Sequence, residues 1–284
     1  MEISRLLASA VVLALLFWVL PVRADDTLTW LVVAETPFNE SDTTGIPISL
    51  SDISVAWFEK EITTLHHSTL HTTLLRAVKF ISSSDCYCSP NFYKTAERSK
   101  TMIFSQEMDR SLPHRIIVQK ARLADFSPFF DREGRVKLAS LLNNADLHAV
   151  RLAGASLGPE LDPLFARHRL WIEEVVRLDD SAYRRLMAGR LAWIIADALD
   201  ASLSIARQPH PGAITTLAIA EQSNLQPSYV ACSSGPIGRA AVVQIDRALQ
   251  SVGDRAPWKA VYANMLDPDS RLELQRLETE AAKR

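Results

Sequence analysis

Surplus charge of either sign is what this sequence lacks most plainly: among its 284 residues, 31 Lys and Arg stand against 33 Asp and Glu, a formal net charge of -2. Without a basic excess there is no electrostatic footprint for nucleic acid and no polybasic patch for an anionic membrane surface, so neither is expected as a partner. Repeats of solenoid period and low-complexity segments are missing too. With 48% apolar, 23% charged and 7% aromatic residues, the composition is that of a folding chain and excludes a disordered, fibrous or multi-span one. Cysteine is scarce, and Cys86, Cys88 and Cys232 are all there is.

Long apolar runs are limited to residues 6–20, behind Arg5. That run is too short to span a bilayer comfortably and ends in Pro21-Val22-Arg23-Ala24 before Asp25-Asp26. It reads as a secretory signal peptide, residues 1–24, cut after Ala24. An uncleaved N-terminal anchor is the other reading, because Glu2 weakens the basic start. No cysteine follows the run, which argues against a lipoprotein. Removal takes away Arg5, Arg23 and Glu2, leaving 29 basic and 32 acidic side chains and a net charge of -3. About 260 residues then remain, enough for one large α/β domain or two lobes of roughly 130.

In an oxidising compartment the three cysteines read as one disulfide plus one leftover thiol. A metal site needs more ligands than they offer. His66, His67 and His71 are the nearest candidates, with His67 and His71 four apart on an expected helix face, but no HExxH pattern contains them. No metal and no cofactor is expected.

Strand-like and helix-like patterns alternate along the chain. Residues 28–34 read as a strand, 55–65 and 70–80 as helices, and 86–89 and 115–119 as strands. Next come a helix at 135–142, a strand at 147–153, a helix at 160–169, a strand at 171–178, a helix at 182–188 and a strand at 191–196. The segment Gln208-Pro209-His210-Pro211-Gly212 breaks the series. Strands at 214–220 and 228–232 then lead into C-terminal helices from about residue 237. Such β-α repetition predicts parallel sheets flanked by helices.

Gly154-Ala155-Ser156-Leu157-Gly158 fits the GxSxG nucleophile elbow, and Asp179, Asp180 or Asp197 followed by His210 supplies the hydrolase order Ser, Asp, His. The HGGG-type oxyanion loop is missing, and His210 sits between two prolines. A serine hydrolase using Ser156 is therefore a minor alternative. The competing reading is a glycine loop at a helix N-terminus, whose N–H groups attract an anion.

The run Lys94-Thr95-Ala96-Glu97-Arg98, followed by Ile103-Phe104-Ser105, resembles the "T-x-E-R... F-S" signature of family 3 extracytoplasmic solute-binding proteins, the polar amino-acid binders of ABC importers. An exported branch of that family is similar over the whole mature chain. It shares a cysteine ahead of the motif, Gly-Arg before a late strand and Tyr-Val-Ala-Cys near the end, here Cys88, Gly189-Arg190 and Tyr229-Val230-Ala231-Cys232.

The resemblance implies a two-lobed α/β type 2 periplasmic-binding-protein fold, each lobe a mainly parallel sheet flanked by helices. Lobe one would comprise 25–113 and 228–284 and lobe two 120–216, with hinge strands at about 114–119 and 217–229. It implies a periplasmic monomer that captures a small polar, carboxylate-bearing, amino-acid-like solute for an ABC permease or a sensor, with no catalytic residue. Arg98 falls on the arginine that grips a ligand carboxylate, a task suited to its bidentate fork. Asp197 falls on the acid that pairs with the ligand ammonium, Phe38 on an aromatic platform and Glu35 on an acidic neighbour. Gly154 and Ser156 fall in the lobe-two anion loop, with Arg151 beside it. Asn91 and Tyr93 stand where amino-acid binders carry small or hydroxyl residues, and His71 where they carry a second aromatic platform. The resemblance also implies a Cys88–Cys232 disulfide with Cys86 free. On the residues alone, Arg98 is a surface ion pair, Asp197 equally a helix cap and Phe38 a core residue. A second class of function, a dehydratase-like enzyme on the same scaffold, would use Glu35 as a cleft acid.

Overall fold

The computed structural model describes residues 27–33, 49–167 and 172–283. The leader expected at 1–24, together with Glu35 and Phe38, lies outside the described residues. The strands are β1 (Thr27–Val33), β2 (His66–Thr72), β3 (Tyr87–Phe92), β4 (Met102–Ser111), β5 (Arg115–Gln119), β6 (Ala149–Leu152), β7 (Ile172–Val175), β8 (Trp193–Ala196), β9 (Ile214–Ala218) and β10 (Gln226–Ser233). The helices are α1 (Leu50–Glu61), α2 (Leu74–Ser83), α3 (Leu123–Phe126), α4 (Leu138–Leu141), α5 (Asp162–Arg167), α6 (Asp180–Met187), α7 (Ala198–Ala206), α8 (Pro236–Val252), α9 (Pro257–Met265) and α10 (Pro268–Ala281). No helix among the described residues is long and apolar enough to cross a membrane.

Two mixed five-stranded sheets form, in the orders β2-β1-β3-β10-β4 and β7-β6-β8-β5-β9. The triplets β2-β1-β3 and β7-β6-β8 are parallel and carry the β-α units. Beside them β10 and β5 run antiparallel to both of their neighbours. The chain leaves the first sheet after Ser111 and enters the second at Arg115; it returns between Ala218 and Gln226. The stretches 114–119 and 217–229 thus contain β5, the end of β9 and the start of β10.

The apolar run of β1 makes a buried inner strand, with Leu28, Trp30, Leu31 and Val32 fully buried. Phe58 of α1 stacks on Trp30 at 5.4 Å, and Trp258 of α9 stacks on Phe58 at 5.7 Å. Each such ring contributes roughly 1.5–3 kcal/mol of transfer free energy. Across the second sheet, Trp193 is fully buried and its indole N–H donates to Leu147 O at 3.0 Å. Cys88 and Cys232 lie directly opposite each other on β3 and β10 and are disulfide-bonded, with Cys86 free.

Three local expectations change. Residues 66–72 are the strand β2, in parallel register with β1 from Thr27↔His66 to Val33↔Thr72, so the second helix starts at Leu74 instead of residue 70. His67 and His71 are therefore about 13 Å apart along a strand, too far to share a metal ion. His67 Nδ1 accepts the Trp30 indole N–H at 3.1 Å while its Nε2 bonds Ile62 O at 2.6 Å. The expected helix at 135–142 shrinks to α4, because Val136 is extended and bonds Ala218 and Ala220. A strand unforeseen from the sequence, β4, forms the outer edge of the first sheet.

Candidate functional site

Two adjoining cavities, of about 170 and about 110 Å³, open where the loop after β3 faces the C-terminal end of β8. Leu74, Asn91, Phe92, Tyr93, Asp197 and Asp200 border both. Arg98, His114 and Ser156 border the smaller, and Asp109 and Tyr262 the larger. The ends of parallel strands and the crevice between elements are where α/β folds place ligands.

Arg98 opens a short 3-10 turn, Arg98–Lys100, held by its own N–H to Thr95 Oγ1 at 3.1 Å. Its guanidinium lies 5.0 Å from the Phe92 ring centroid and donates to Tyr93 O at 2.9 Å and to Gly154 O at 3.0 Å. The second bond ties the loop after β3 to the loop after β6. Asn91 sits at φ 62°, a left-handed conformation that asparagine tolerates better than most side chains, and donates to Ser51 Oγ at 3.3 Å. Positive φ at a non-glycine wall residue is a recurrent mark of functional sites.

Asp197 caps α7, accepting from Asp200 N at 2.9 Å, and it borders both cavities. Burial first, and then the neighbouring Asp200 carboxylate, hold it well above the ordinary carboxylate range. His114, in the passage between the sheets, is buried, and burial pushes its imidazole below the ordinary range. Its ring is tilted 33° against Tyr93 at 5.6 Å.

Of the other expected site residues, His71 stands elsewhere, while Arg151, Gly154 and Ser156 line a further cavity together with Arg98. His71 bonds Asp52 at 2.8 Å, is half exposed and borders neither cavity, because β2 is an edge strand and not a helix. Arg151 pairs with Glu174 at 2.8 Å and lies over Phe165. Gly154 takes φ 77° and meets Arg98 through its carbonyl, outside both cavities. Ser156 donates to Asp162 Oδ2 at 2.6 Å, Leu157 N donates to Asp162 Oδ1 at 2.7 Å, and Gly158 N donates to Ser156 Oγ. The loop expected to offer free N–H groups to an anion is thus filled by the chain's own carboxylate. The same contact disposes of the hydrolase alternative: Ser156 has an aspartate where a nucleophile requires a base such as histidine, and His210 is exposed ahead of the turn Pro211–Ala213.

Asp109, on the wall of the larger cavity, has its pKa raised by burial from 3.8 to about 6. An acid raised on folding is destabilising once ionised, so wild-type stability should fall as pH rises from about 4 through 6. Asp109→Asn is accordingly expected to stabilise, by at most about 3 kcal/mol near pH 7.5 and by roughly half that near pH 5. Urea unfolding at the two pH values checks this, and an equal gain at both would overturn it.

No family model and no curated protein sequence matches this chain. Solved structures do. An ancestral arginine-binding protein bound to glutamine superposes with TM-score 0.61 at 15% identity, covering 84% of this chain and 97% of that one. An amino acid ABC transporter substrate-binding protein from Streptococcus pneumoniae, bound to L-arginine, gives 0.62 at 13% identity, covering 84% and 93%. An ancestral amino acid-binding protein, a precursor of cyclohexadienyl dehydratase, gives 0.61 at 16%, covering 85% and 96%. Two five-stranded mixed sheets flanked by helices, matched over most of both chains, make this the two-lobed fold of the amino-acid ABC transporter substrate-binding proteins.

Proposed function

We propose that the chain is an extracytoplasmic solute-binding protein of the family 3 type, holding a small amino-acid-like solute between two lobes for an ABC permease or a sensor. The observation that carries this reading is the smaller cavity, where Arg98, from the loop after β3, and Asp197, from the end of β8, border one space. A guanidinium fork for a carboxylate and an acid for an ammonium, brought in from different sheets, suit an amino acid held at both ends. Lobe one is assigned to 25–113 and 228–284, lobe two to 120–216 and the hinge to 114–119 and 217–229. The leader at 1–24 and the disulfide fit a periplasmic monomer. A dehydratase-like enzyme is the second reading. It is favoured by Asp197 and His114 bordering one cavity, a carboxyl group and an imidazole of the kinds that exchange protons in acid–base catalysis.

The test begins with native protein from the extracytoplasmic fraction, whose intact mass should start at Asp25. Thermal unfolding is then followed with the standard L-amino acids, short peptides and small organic acids. A ligand at a hundred times its Kd adds about 2.7 kcal/mol to the native state, so at least one compound should raise the Tm clearly. Binding without turnover supports the importer reading. Chemical conversion of the compound supports the enzyme, and silence across the panel defeats both.

A further inference from the structure

His114 is 4% exposed and borders the same cavity as Arg98 and Asp197. Gln222, from the passage that returns to the first sheet, orients it. Gln222 Nε2 donates to Leu157 O at 2.7 Å, so the amide can turn only its oxygen toward the histidine. That oxygen accepts the His114 backbone N–H at 2.8 Å and stands 3.0 Å from Nδ1. Nδ1 must then carry the ring proton, and in the neutral imidazole Nε2 is left with a lone pair.

No hydrogen bond to Nε2 exists among the described residues. At the wall of the cavity such a lone pair is open to a donor from a bound molecule. Around it, the Arg98 guanidinium donates to the carbonyls of Tyr93 and Gly154 and the Ser156 hydroxyl to Asp162, so neither of these is bonded to Nε2. Burial disfavours the imidazolium, which keeps Nε2 an acceptor.

We propose that His114 is a ligand-contacting specificity residue, its Nε2 accepting one N–H of the solute amine whose remaining N–H donors face Asp197. The proposal rests on the binding reading above and narrows it to solutes bearing a primary amine. Charge alone does not satisfy such a site. A quaternary ammonium has no N–H to give and leaves Nε2 unpaired.

Imidazole ¹H–¹⁵N spectra of the labelled full chain test this, with methylammonium and tetramethylammonium chlorides as probes. The His114 signals are assigned by their loss in His114→Phe, or in His114→Gln if the first variant does not fold. The expected result is the Nδ1–H tautomer, with an Nε2 resonance that methylammonium moves and tetramethylammonium leaves in place. An Nε2–H tautomer, equal responses to the two cations, or no response to methylammonium overturns the contact. His114→Phe, which keeps a ring beside Tyr93 and the backbone bond to Gln222, should also weaken the best amino acid of the thermal panel about tenfold. A silent panel beside a methylammonium response defeats the importer reading and leaves the His114 contact standing. An amino acid that binds His114→Phe as tightly as wild type defeats the contact alone.

Discussion

Replacing Cys88 and Cys232 together by alanine is expected to lower the unfolding free energy by about 4 kcal/mol. The bridge joins residues 144 positions apart, so cutting it releases most of the mature chain in the denatured state. In the chain-entropy picture, loops of 100 residues or more are worth nearly 5 kcal/mol. Both cysteines are fully buried in the core cluster that also holds Trp30 and Val230, and alanine leaves no stranded hydroxyl there. Because the disulfide holds the unfolded chain compact, the denaturant m-value should rise as the midpoint falls. Guanidinium unfolding reads both quantities. Thiol titration of the denatured, unreduced wild type should count one thiol, Cys86. Three thiols, or an unchanged midpoint in the double variant, would remove the bridge from the stability of this fold.

In the second sheet even the edge strands β7 and β9 were legible in the sequence, whereas in the first sheet the inner strands were read and the edges β2 and β4 were not, for a physical reason. β1 and β8 are covered on both faces and read as short apolar runs, as buried parallel strands do. β2, His-His-Ser-Thr-Leu-His-Thr, lies at the sheet edge with one leucine, so no period of two marks it. Its Leu70, four before Leu74, instead mimics a helical spacing. β4 alternates buried Met102, Ser105 and Met108 irregularly with Gln106, Glu107 and Arg110, because β10 shifts register twice against it. Polar edges of this sort protect a sheet from further pairing and hide it from pattern reading.

The site divides in the same way. Arg98, Tyr93 and Asp197 border one cavity, and nothing in their spacing shows the contact of Arg98 with the Gly154 carbonyl. His114 was missed because its role depends on Gln222, 108 residues further on. Its position between the two sheets, in Pro113-His114-Arg115, was the available signal. The loop at Ser156 was read as open because Asp162, six residues later, looks like an ordinary acid in the first turn of a helix. His71 failed as a platform once its segment became a strand instead of a helix.

Arg98→Ala is expected to weaken a carboxylate-bearing ligand on the order of 30-fold or more while leaving the fold intact. The guanidinium's bonds to Tyr93 O and Gly154 O are to neutral carbonyls, weaker partners than a carboxylate that accepts two N–H groups side by side. A ligand carboxylate entering the smaller cavity can therefore displace a carbonyl contact and gain strength. Phe92, beneath the guanidinium, is anchored in β3 and stays packed when the side chain is removed. Arg98→Lys keeps the charge but not the planar fork, and should recover only part of the affinity. Titration of wild type and both variants with the best amino acid of the thermal panel measures the losses. Equal Kd values for wild type and Arg98→Ala would show that Arg98 is an interlobe tie and nothing more. Binding of neutral solutes alone would move recognition to Asn91 and Tyr93, two of the positions where this chain departs from the amino-acid binders it resembles.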